Sequence, residues 1–247
     1  MSEDAAAALL CGFWAEGDGL TGLAWWLGGE EGGVAGRELG SGEVSVWAGA
    51  RLTDEGGGVS LRFEEEDGVE ATLSPRSAPA PLPSPSGGPA AGHPAATLCD
   101  ASVSADGEGT ARRGLGLVVR WQEDPGTGSG LFRAVTLPAP SDEVVLLTAR
   151  REAGDANHAD EATLAWLLRG DGSATPYEEA LLSTQYDADE LQTRLGLELW
   201  PADGAAPPLR GAATTFALTR SGGVSAALMS SSVEGAEGRG AYLIRRG

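Results

Sequence analysis

The residues best suited to acid–base chemistry are concentrated between positions 155 and 161. His158 lies there among Asp155, Asp160 and Glu161, and a histidine beside carboxylates can take up and release a proton near neutral pH. The same carboxylates could hold a hard cation, although their spacing is not that of an EF-hand loop. The chain contains no GxSxG nucleophile elbow. A solvated polar loop explains the cluster equally simply, so the sequence assigns no catalytic residue.

Several kinds of catalytic centre are excluded by the residue types that are missing. All 17 basic residues are arginine, so a Walker P-loop and a lysine Schiff base are impossible. The two histidines, His93 and His158, are too few for a multi-histidine metal site. The glycine-rich loop at 126–130 could approach a phosphate, but a strand-like LFRAVTL follows it rather than the helix of a dinucleotide site. The sequence therefore predicts no cofactor and no metal.

The net charge limits the possible partners, and the cysteines indicate the cellular compartment. A net charge of −19 argues against a nucleic-acid partner and against anionic membrane surfaces. The acidic composition without lysine fits either a GC-rich genome or adaptation to high salt. Cys11 and Cys99 are predicted to be buried free thiols in a reducing cytoplasm. The acidic start is unlike a signal peptide, and no apolar run reaches the roughly 20 residues that cross a bilayer. We expect a cytoplasmic protein.

The seven tryptophans are the clearest indication of a binding site. Tryptophan often lines small-molecule pockets, although packing in the core would also explain these residues. Trp47 is the most informative, because it lies on the more polar face of its predicted strand. The sequence predicts a cavity wall with two polar contacts at its edge, formed by Trp47, Trp121, Trp166 and Trp200 with Tyr186 and Arg120.

The elements that must position these residues are predicted to be strands. Apolar and polar residues alternate over 44–53 and again over 59–63, and 38 glycines and 14 prolines separate many short runs. Three apolar runs within 162–200 are divided by acidic turns, and we expect them to form the central meander of the fold. Residues 175–182 also fit a capped helix, but the strand interpretation is favoured.

The fold class predicted from these patterns is all-β, with two packed antiparallel sheets or half-barrels. A stretch rich in proline, alanine, serine and glycine at 75–96 predicts an extended linker. It would separate an N-terminal β module, 1–74, from a C-terminal β module, 97–247.

Two stretches of the second half resemble a known group of proteins. LLSTQYDADELQTRLGLELW, at 181–200, and EGAEGRGAYLIRR, at 234–246, are similar to the lipocalin-type β proteins of the AttH and carotenoid 1,2-hydratase families, in a bacterial branch. This resemblance implies two lipocalin-like modules that handle hydrophobic small molecules such as isoprenoids. These families have a midchain motif, a Gly-x-Gly followed by Arg-Asp-His-Ser-Trp, which should fall near Gly114-Leu115-Gly116 in this chain. Apolar residues follow there, and only Arg120 and Trp121 remain, which argues against hydratase catalysis.

Three functions are compatible with the sequence. The first is the binding of a hydrophobic or aromatic small molecule in a β-lined cavity. The second is a lyase, hydratase or cyclase that acts on an isoprenoid- or polyketide-like substrate through a carboxylate in an apolar pocket. The third is a non-catalytic structural or interaction module. The sequence does not indicate an oligomeric state.

Overall fold

The structure of the protein is a computed structural model, and most of the chain is described by it. It describes residues 5–14, 22–28, 32–38, 44–47, 49–55, 58–63, 69–88, 90, 92–105, 108–154, 161–202, 204 and 206–246. No α-helix occurs in these ranges, and a short 3-10 turn at Pro140–Asp142 is the single helical element within them. None of their helical segments has the length and apolar character needed to cross a membrane.

The first sheet contains ten antiparallel strands. Its order is β4-β3-β2-β1-β10-β9-β7-β6-β5, with β8 added against β9. The strands are β1 (Ala7–Phe13), β2 (Gly22–Leu27), β3 (Gly32–Glu38), β4 (Val44–Trp47), β5 (Ala50–Glu55), β6 (Gly58–Phe63), β7 (Glu70–Pro75), β8 (Ala80–Pro81), β9 (Pro94–Ala105) and β10 (Glu108–Trp121).

The second sheet contains nine antiparallel strands in the order β14-β13-β12-β11-β19-β18-β17-β16-β15. Without β8, the first sheet follows the same path, so the chain repeats one topology twice. The strands are β11 (Ser129–Ala139), β12 (Glu143–Glu152), β13 (Ala162–Leu168), β14 (Ala174–Pro176), β15 (Glu179–Tyr186), β16 (Gln192–Trp200), β17 (Leu209–Ser221), β18 (Val224–Val233) and β19 (Ala236–Arg246).

Each sheet is curled, because consecutive strands lie at its opposite edges. Only two residues separate β14 from β15, which are the two edge strands of the second sheet. Within that connection the Tyr177 N–H donates to the Ala165 carbonyl at 3.0 Å, and the Glu178 N–H donates to the Trp200 carbonyl at 2.8 Å. β4 and β5 have the same relationship in the first sheet. The predicted all-β fold of two antiparallel half-barrel sheets is therefore confirmed.

The core has three layers, which follow from the alternation of side chains along each strand. On β10, Leu117 and Val119 pack between the sheets, whereas Val118 packs inside the first half-barrel. A third cluster fills the second half-barrel and includes Val135 and Tyr242. Central strands such as β1 are buried on both faces, so they are apolar without alternation.

The boundary between the sheets differs from the predicted module boundary. The strands of 94–121 complete the first sheet, since β10 pairs with β1 and β9 pairs with β7. The sheets therefore divide in the turn between Trp121 and Ser129, and the segment 97–247 contains most of two strands of the first sheet. Sequence composition marked the proline-rich stretch, but pairing with distant strands decides the boundary.

The predicted linker 75–96 is partly packed rather than wholly solvated. β8 pairs with β9, and Leu82 and Ala90 are buried in the cluster between the sheets. The Leu82 N–H donates to the Pro94 carbonyl at 2.9 Å. The exposed residues described in this segment lie mainly at 78–81 and in the turn at 84–88.

The segment 162–200 forms strands as predicted, but it is not the centre of the fold. β13 lies near one edge of the second sheet, and β15 and β16 lie at the other. The central strands are β11, β19 and β18, because the chain crosses from edge to edge between β14 and β15. Residues 175–182 are strand with a two-residue connection, so the helical alternative there is wrong.

Candidate functional site

Two concave spaces lie at opposite ends of the layer between the sheets. The smaller one, the Trp121–Trp166 cavity, has a volume of about 220 Å³. The larger one, the Trp14 groove, has a volume of about 900 Å³ and includes Leu115. Leu115 and Trp121 are six residues apart on β10, which places the two spaces roughly 20 Å apart.

The layer between these two spaces is tightly packed. Leu117 and Val119 of the first sheet fill it together with Ala134 of the second. The Thr136 hydroxyl donates to the Cys11 sulfur at 3.3 Å, which joins the two sheets directly. The cavity and the groove are therefore separate sites rather than one channel.

Aromatic side chains from both sheets form the floor of the Trp121–Trp166 cavity. Trp121 ends β10, Phe132 lies on β11, and Trp166 lies on β13. The ring centroids of Trp121 and Phe132 are 5.9 Å apart in an edge-to-face arrangement, and Trp26 packs 5.5 Å from each of them. Trp166 is 1% exposed, and its indole N–H donates to the Pro83 carbonyl at 2.7 Å. Ring contacts with Trp26 hold Trp121 and Phe132 in place, and the hydrogen bond to Pro83 holds Trp166.

Charged side chains form the rim of the same cavity. Glu123, Asp124 and Glu152 contribute three carboxylates, and Arg150 contributes one guanidinium. Arg150 Nη2 lies 3.1 Å from Glu152 Oε1. Asp124 is ion-paired with Arg245, outside the lining, at 2.5 Å. Two of the three carboxylates are therefore neutralised by arginines, which leaves an apolar floor beneath a polar rim.

The size of this cavity sets the size of a ligand. A dry cavity of about 150 Å³ can hold benzene, so the observed volume of about 220 Å³ suits a molecule of one or two rings. Leu164, on β13, contributes an aliphatic wall. Pockets of this kind orient a ligand with a few polar groups and hold it by apolar contact.

Two of the six predicted site residues meet in this cavity. Trp121 and Trp166 both line it. Arg120 precedes Trp121 on the strand, so its side chain points to the interior of the first half-barrel, where its charge acts on Cys99. Arg120 therefore does not line this cavity, because adjacent residues of a strand face opposite sides.

The other predicted contacts lie elsewhere or outside the described side chains. Tyr186 packs against the interior of the second half-barrel. Trp200 is half-buried, and it alternates with Leu199, which packs inside that half-barrel. Neither residue lines the cavity. The side chain of Trp47 lies outside the part of the structure that is described.

The predicted acid–base cluster is described at one residue only. Asp155, His158 and Asp160 lie outside the described residues. The Glu161 side chain is 3% exposed and forms an ion pair with Arg133 inside the second half-barrel. Arg133 also donates to the Tyr242 hydroxyl at 3.1 Å. Glu161 is thus held in a buried ion pair away from the cavity. Within the described ranges, no group of three or more potential metal ligands occurs.

The two thiols are not suited to nucleophilic catalysis. Cys11 and Cys99 are free and buried, as predicted. Burial raises the pKa of each thiol to about 12, and the hydrogen bond from Thr136 opposes this shift only partly at Cys11. Since the thiolate is the nucleophilic form, both side chains are inert at neutral pH.

Sequence reasoning missed Phe132 and Leu164 as parts of the cavity wall. Both belong to runs that the sequence identifies as strands, LFRAVTL and ATLAWLL. Leu164 and Trp166 are two residues apart and face the same side, as the period of a strand requires. The position of Phe132 opposite Trp121 depends on the packing of the two sheets, for which the local sequence carries no signal.

Comparison with known proteins identifies the fold. No family model and no curated protein matches the chain. The structure is similar to that of a protein assigned as AttH from Nitrosomonas europaea, with a TM-score of 0.61 and 12% identity over 99% of this chain and 93% of that one. It is also similar to CghA in complex with Sch210972, with a TM-score of 0.53 and 13% identity over 98% and 89% of the two chains. A second structure of CghA gives a TM-score of 0.55 at 12% identity. The fold is therefore the AttH-like lipocalin fold that the resemblance implied.

Proposed function

We propose that this protein binds a small apolar or aromatic molecule in the Trp121–Trp166 cavity. The observation that carries this proposal is the aromatic floor, in which Trp121, Phe132 and Trp166 come together from both sheets. A ligand of one or two rings would lie over this floor, contact the more exposed wall at Leu164 and leave any polar substituent at the charged rim.

The rigidity of the floor supports binding without a large rearrangement. Trp121 and Phe132 are each 2% exposed, and the Trp166 ring is fixed by its hydrogen bond to Pro83. A preformed site loses little conformational entropy when a ligand enters. The binding energy would therefore come mainly from apolar contact at the exposed parts of the wall, such as Leu164.

The chemistry of the described residues supports binding rather than turnover. Asp124, at the rim, and Glu161, away from the cavity, are both ion-paired with arginines, and the two thiols are buried. The complex of CghA with Sch210972 indicates that a protein of this fold can hold a small molecule. For this chain we extend that property only to the binding of a smaller, apolar ligand.

The proposal is tested by filling the cavity at its rim. Ala162 is an exposed residue of β13 that lines the cavity, so Ala162→Phe should block it without disturbing the core. Naphthalene binding to the purified protein would be measured by calorimetry and by quenching of tryptophan fluorescence. We expect naphthalene to bind the wild type and to bind Ala162→Phe at least tenfold more weakly.

Ala212→Phe is the matched control. Ala212 is also an exposed strand alanine, but it lines the Trp14 groove at the opposite end of the interface. This variant should bind naphthalene as the wild type does. Absence of naphthalene binding to the wild type, or equal binding by Ala162→Phe, would contradict the proposed function.

A further inference from the structure

One strand, β12, gives the Trp121–Trp166 cavity a row of polar side chains. Thr148, Arg150 and Glu152 are spaced two apart on this strand, so they share a face, and all three line the cavity. On the neighbouring strand β13, Leu164 lies beside Thr148 and Ala162 lies beside Arg150. A ring that rests on Leu164 therefore has the Thr148 side chain next to it and the Arg150 side chain one step nearer the rim.

The Thr148 hydroxyl is available to a molecule in the cavity. Thr148 is 8% exposed, and its hydroxyl has no hydrogen-bond partner among the described residues. Its oxygen is also not one of their enclosed unpaired atoms, so it keeps accessible surface on the cavity side. Hydroxyls this deep are usually hydrogen-bonded, because an unpaired one loses its bonds to water without replacement. A ligand with a hydrogen-bonding atom at this point would satisfy the hydroxyl.

The Arg150 guanidinium adds donors beside this hydroxyl. Its Nη2 lies 3.1 Å from Glu152 Oε1, and the two side chains are 36% and 64% exposed. A pair this exposed contributes little and can be exchanged for a ligand at small cost. Since a guanidinium has N–H donors and no acceptor, the ligand atom that meets it must be an acceptor. A carbonyl oxygen has two lone pairs, so it can accept from Thr148 and from Arg150 together.

The charges of the rim disfavour a ligand that carries a carboxylate. Arg150 and Arg245 neutralise Glu152 and Asp124, but within the described ranges no arginine is paired with Glu123, which also lines the cavity. The rim therefore keeps a negative charge, and the net charge of −19 adds to its potential. A neutral carbonyl group meets the same two donors without this repulsion.

We propose that the Trp121–Trp166 cavity selects neutral aryl ketones and aldehydes of one or two rings over the parent hydrocarbons and over aryl carboxylates. The carbonyl oxygen accepts hydrogen bonds from the Thr148 hydroxyl and the Arg150 guanidinium, while the rings lie against Leu164. This inference rests on the proposed function, because it names the class of ligand that the same cavity takes.

The test compares naphthalene, 2-acetylnaphthalene and 2-naphthoate by calorimetry on the purified protein. The wild type should bind 2-acetylnaphthalene more tightly than either of the other two. Thr148→Val removes the hydroxyl and keeps the shape of the side chain. It should weaken 2-acetylnaphthalene binding about three- to tenfold, which corresponds to the loss of one hydrogen bond. It should leave naphthalene binding unchanged, because naphthalene has no oxygen to accept that bond.

Thr163→Val is the matched control, because Thr163 also lies on a strand of this wall but is paired with Ala149, which packs inside the second half-barrel. It should bind all three compounds as the wild type does.

The outcomes separate this inference from the proposed function. The inference alone is overturned if the wild type binds naphthalene but does not prefer 2-acetylnaphthalene, or prefers 2-naphthoate. It is also overturned if Thr148→Val binds 2-acetylnaphthalene as tightly as the wild type. Failure of the wild type to bind any of the three compounds would overturn the proposed function as well.

Discussion

Substitution of Arg133 by methionine should strongly destabilise the protein. The side chains of Arg133 and Glu161 are each 3% exposed and are paired inside the second half-barrel. Removing the guanidinium leaves the Glu161 carboxylate buried without its cation, which costs about 3–5 kcal/mol in comparable sites. It also removes the donors to Thr184 and to the Tyr242 hydroxyl. The total free energy of unfolding of a domain is about 5–15 kcal/mol, so the loss is a large fraction of it.

Urea unfolding followed by far-UV circular dichroism measures this effect. The double variant Arg133→Met, Glu161→Gln should recover part of the loss, because it removes the unpaired charge as well. Arg210→Met is the control, since the Arg210–Glu198 pair is 67% and 42% exposed and should contribute below about 1 kcal/mol. Equal destabilisation by Arg133→Met and Arg210→Met would refute the reasoning, as would strict additivity in the double variant.

Three further predictions concern packing and pH. Leu82→Ala should lower the free energy of unfolding by about 2–5 kcal/mol, because Leu82 is buried between the sheets; an unchanged urea midpoint would show that the proline-rich segment is not structural. Gly33→Ala should lower the free energy of unfolding by about 3 kcal/mol, because the new Cβ would lie 2.3 Å from the Ala24 carbonyl oxygen. Gly170→Ala is the control and should leave the urea midpoint unchanged, since open space surrounds that position. The free energy of unfolding should fall as the pH rises from 9.0 towards about 12. Burial raises the pKa of Cys11 from 9.0 to about 12 in the folded protein, so within this interval the thiol is ionised only in the unfolded chain. Cys11→Ala should reduce the fall in the free energy of unfolding over this interval by up to about 4 kcal/mol. An equal fall in wild type and variant, measured by urea titration at each pH, would contradict this prediction.

Local patterns predicted the strands but not their order in the sheets. The alternation over 44–53 indicates one strand, yet β4 and β5 share those residues and lie at opposite edges of the first sheet. The period of two is a property of neighbouring residues, whereas the pairing of β1 with β10 joins residues more than a hundred positions apart. Fold class was therefore accessible from the sequence, and sheet boundaries were not.

The residues of the candidate cavity could also be predicted only in part, because local sequence does not show which distant residues meet. Trp121 and Trp166 could be selected because large aromatic residues line pockets more often than most. Arg120 could have been rejected, because it is adjacent to Trp121 and must face the other side of the strand. The buried position of Arg133 had a signal too, as a single charge within the apolar run LFRAVTL. Phe132 could not be assigned, since its place opposite Trp121 depends on how the two sheets pack.

The pairing of the first strand of each sheet with its last strand determines when the sheet can be completed during synthesis. Ala7 is paired with Trp121 in the first sheet, so β1 lacks that neighbour until the ribosome has released residues beyond position 121. Pairings over such distances form slowly, because a long chain must be ordered before they are made. Trp121 enters the aromatic floor only at this closing step, and Phe132 and Trp166 are translated later still. The nascent chain therefore acquires the Trp121–Trp166 cavity after most of its strands already exist.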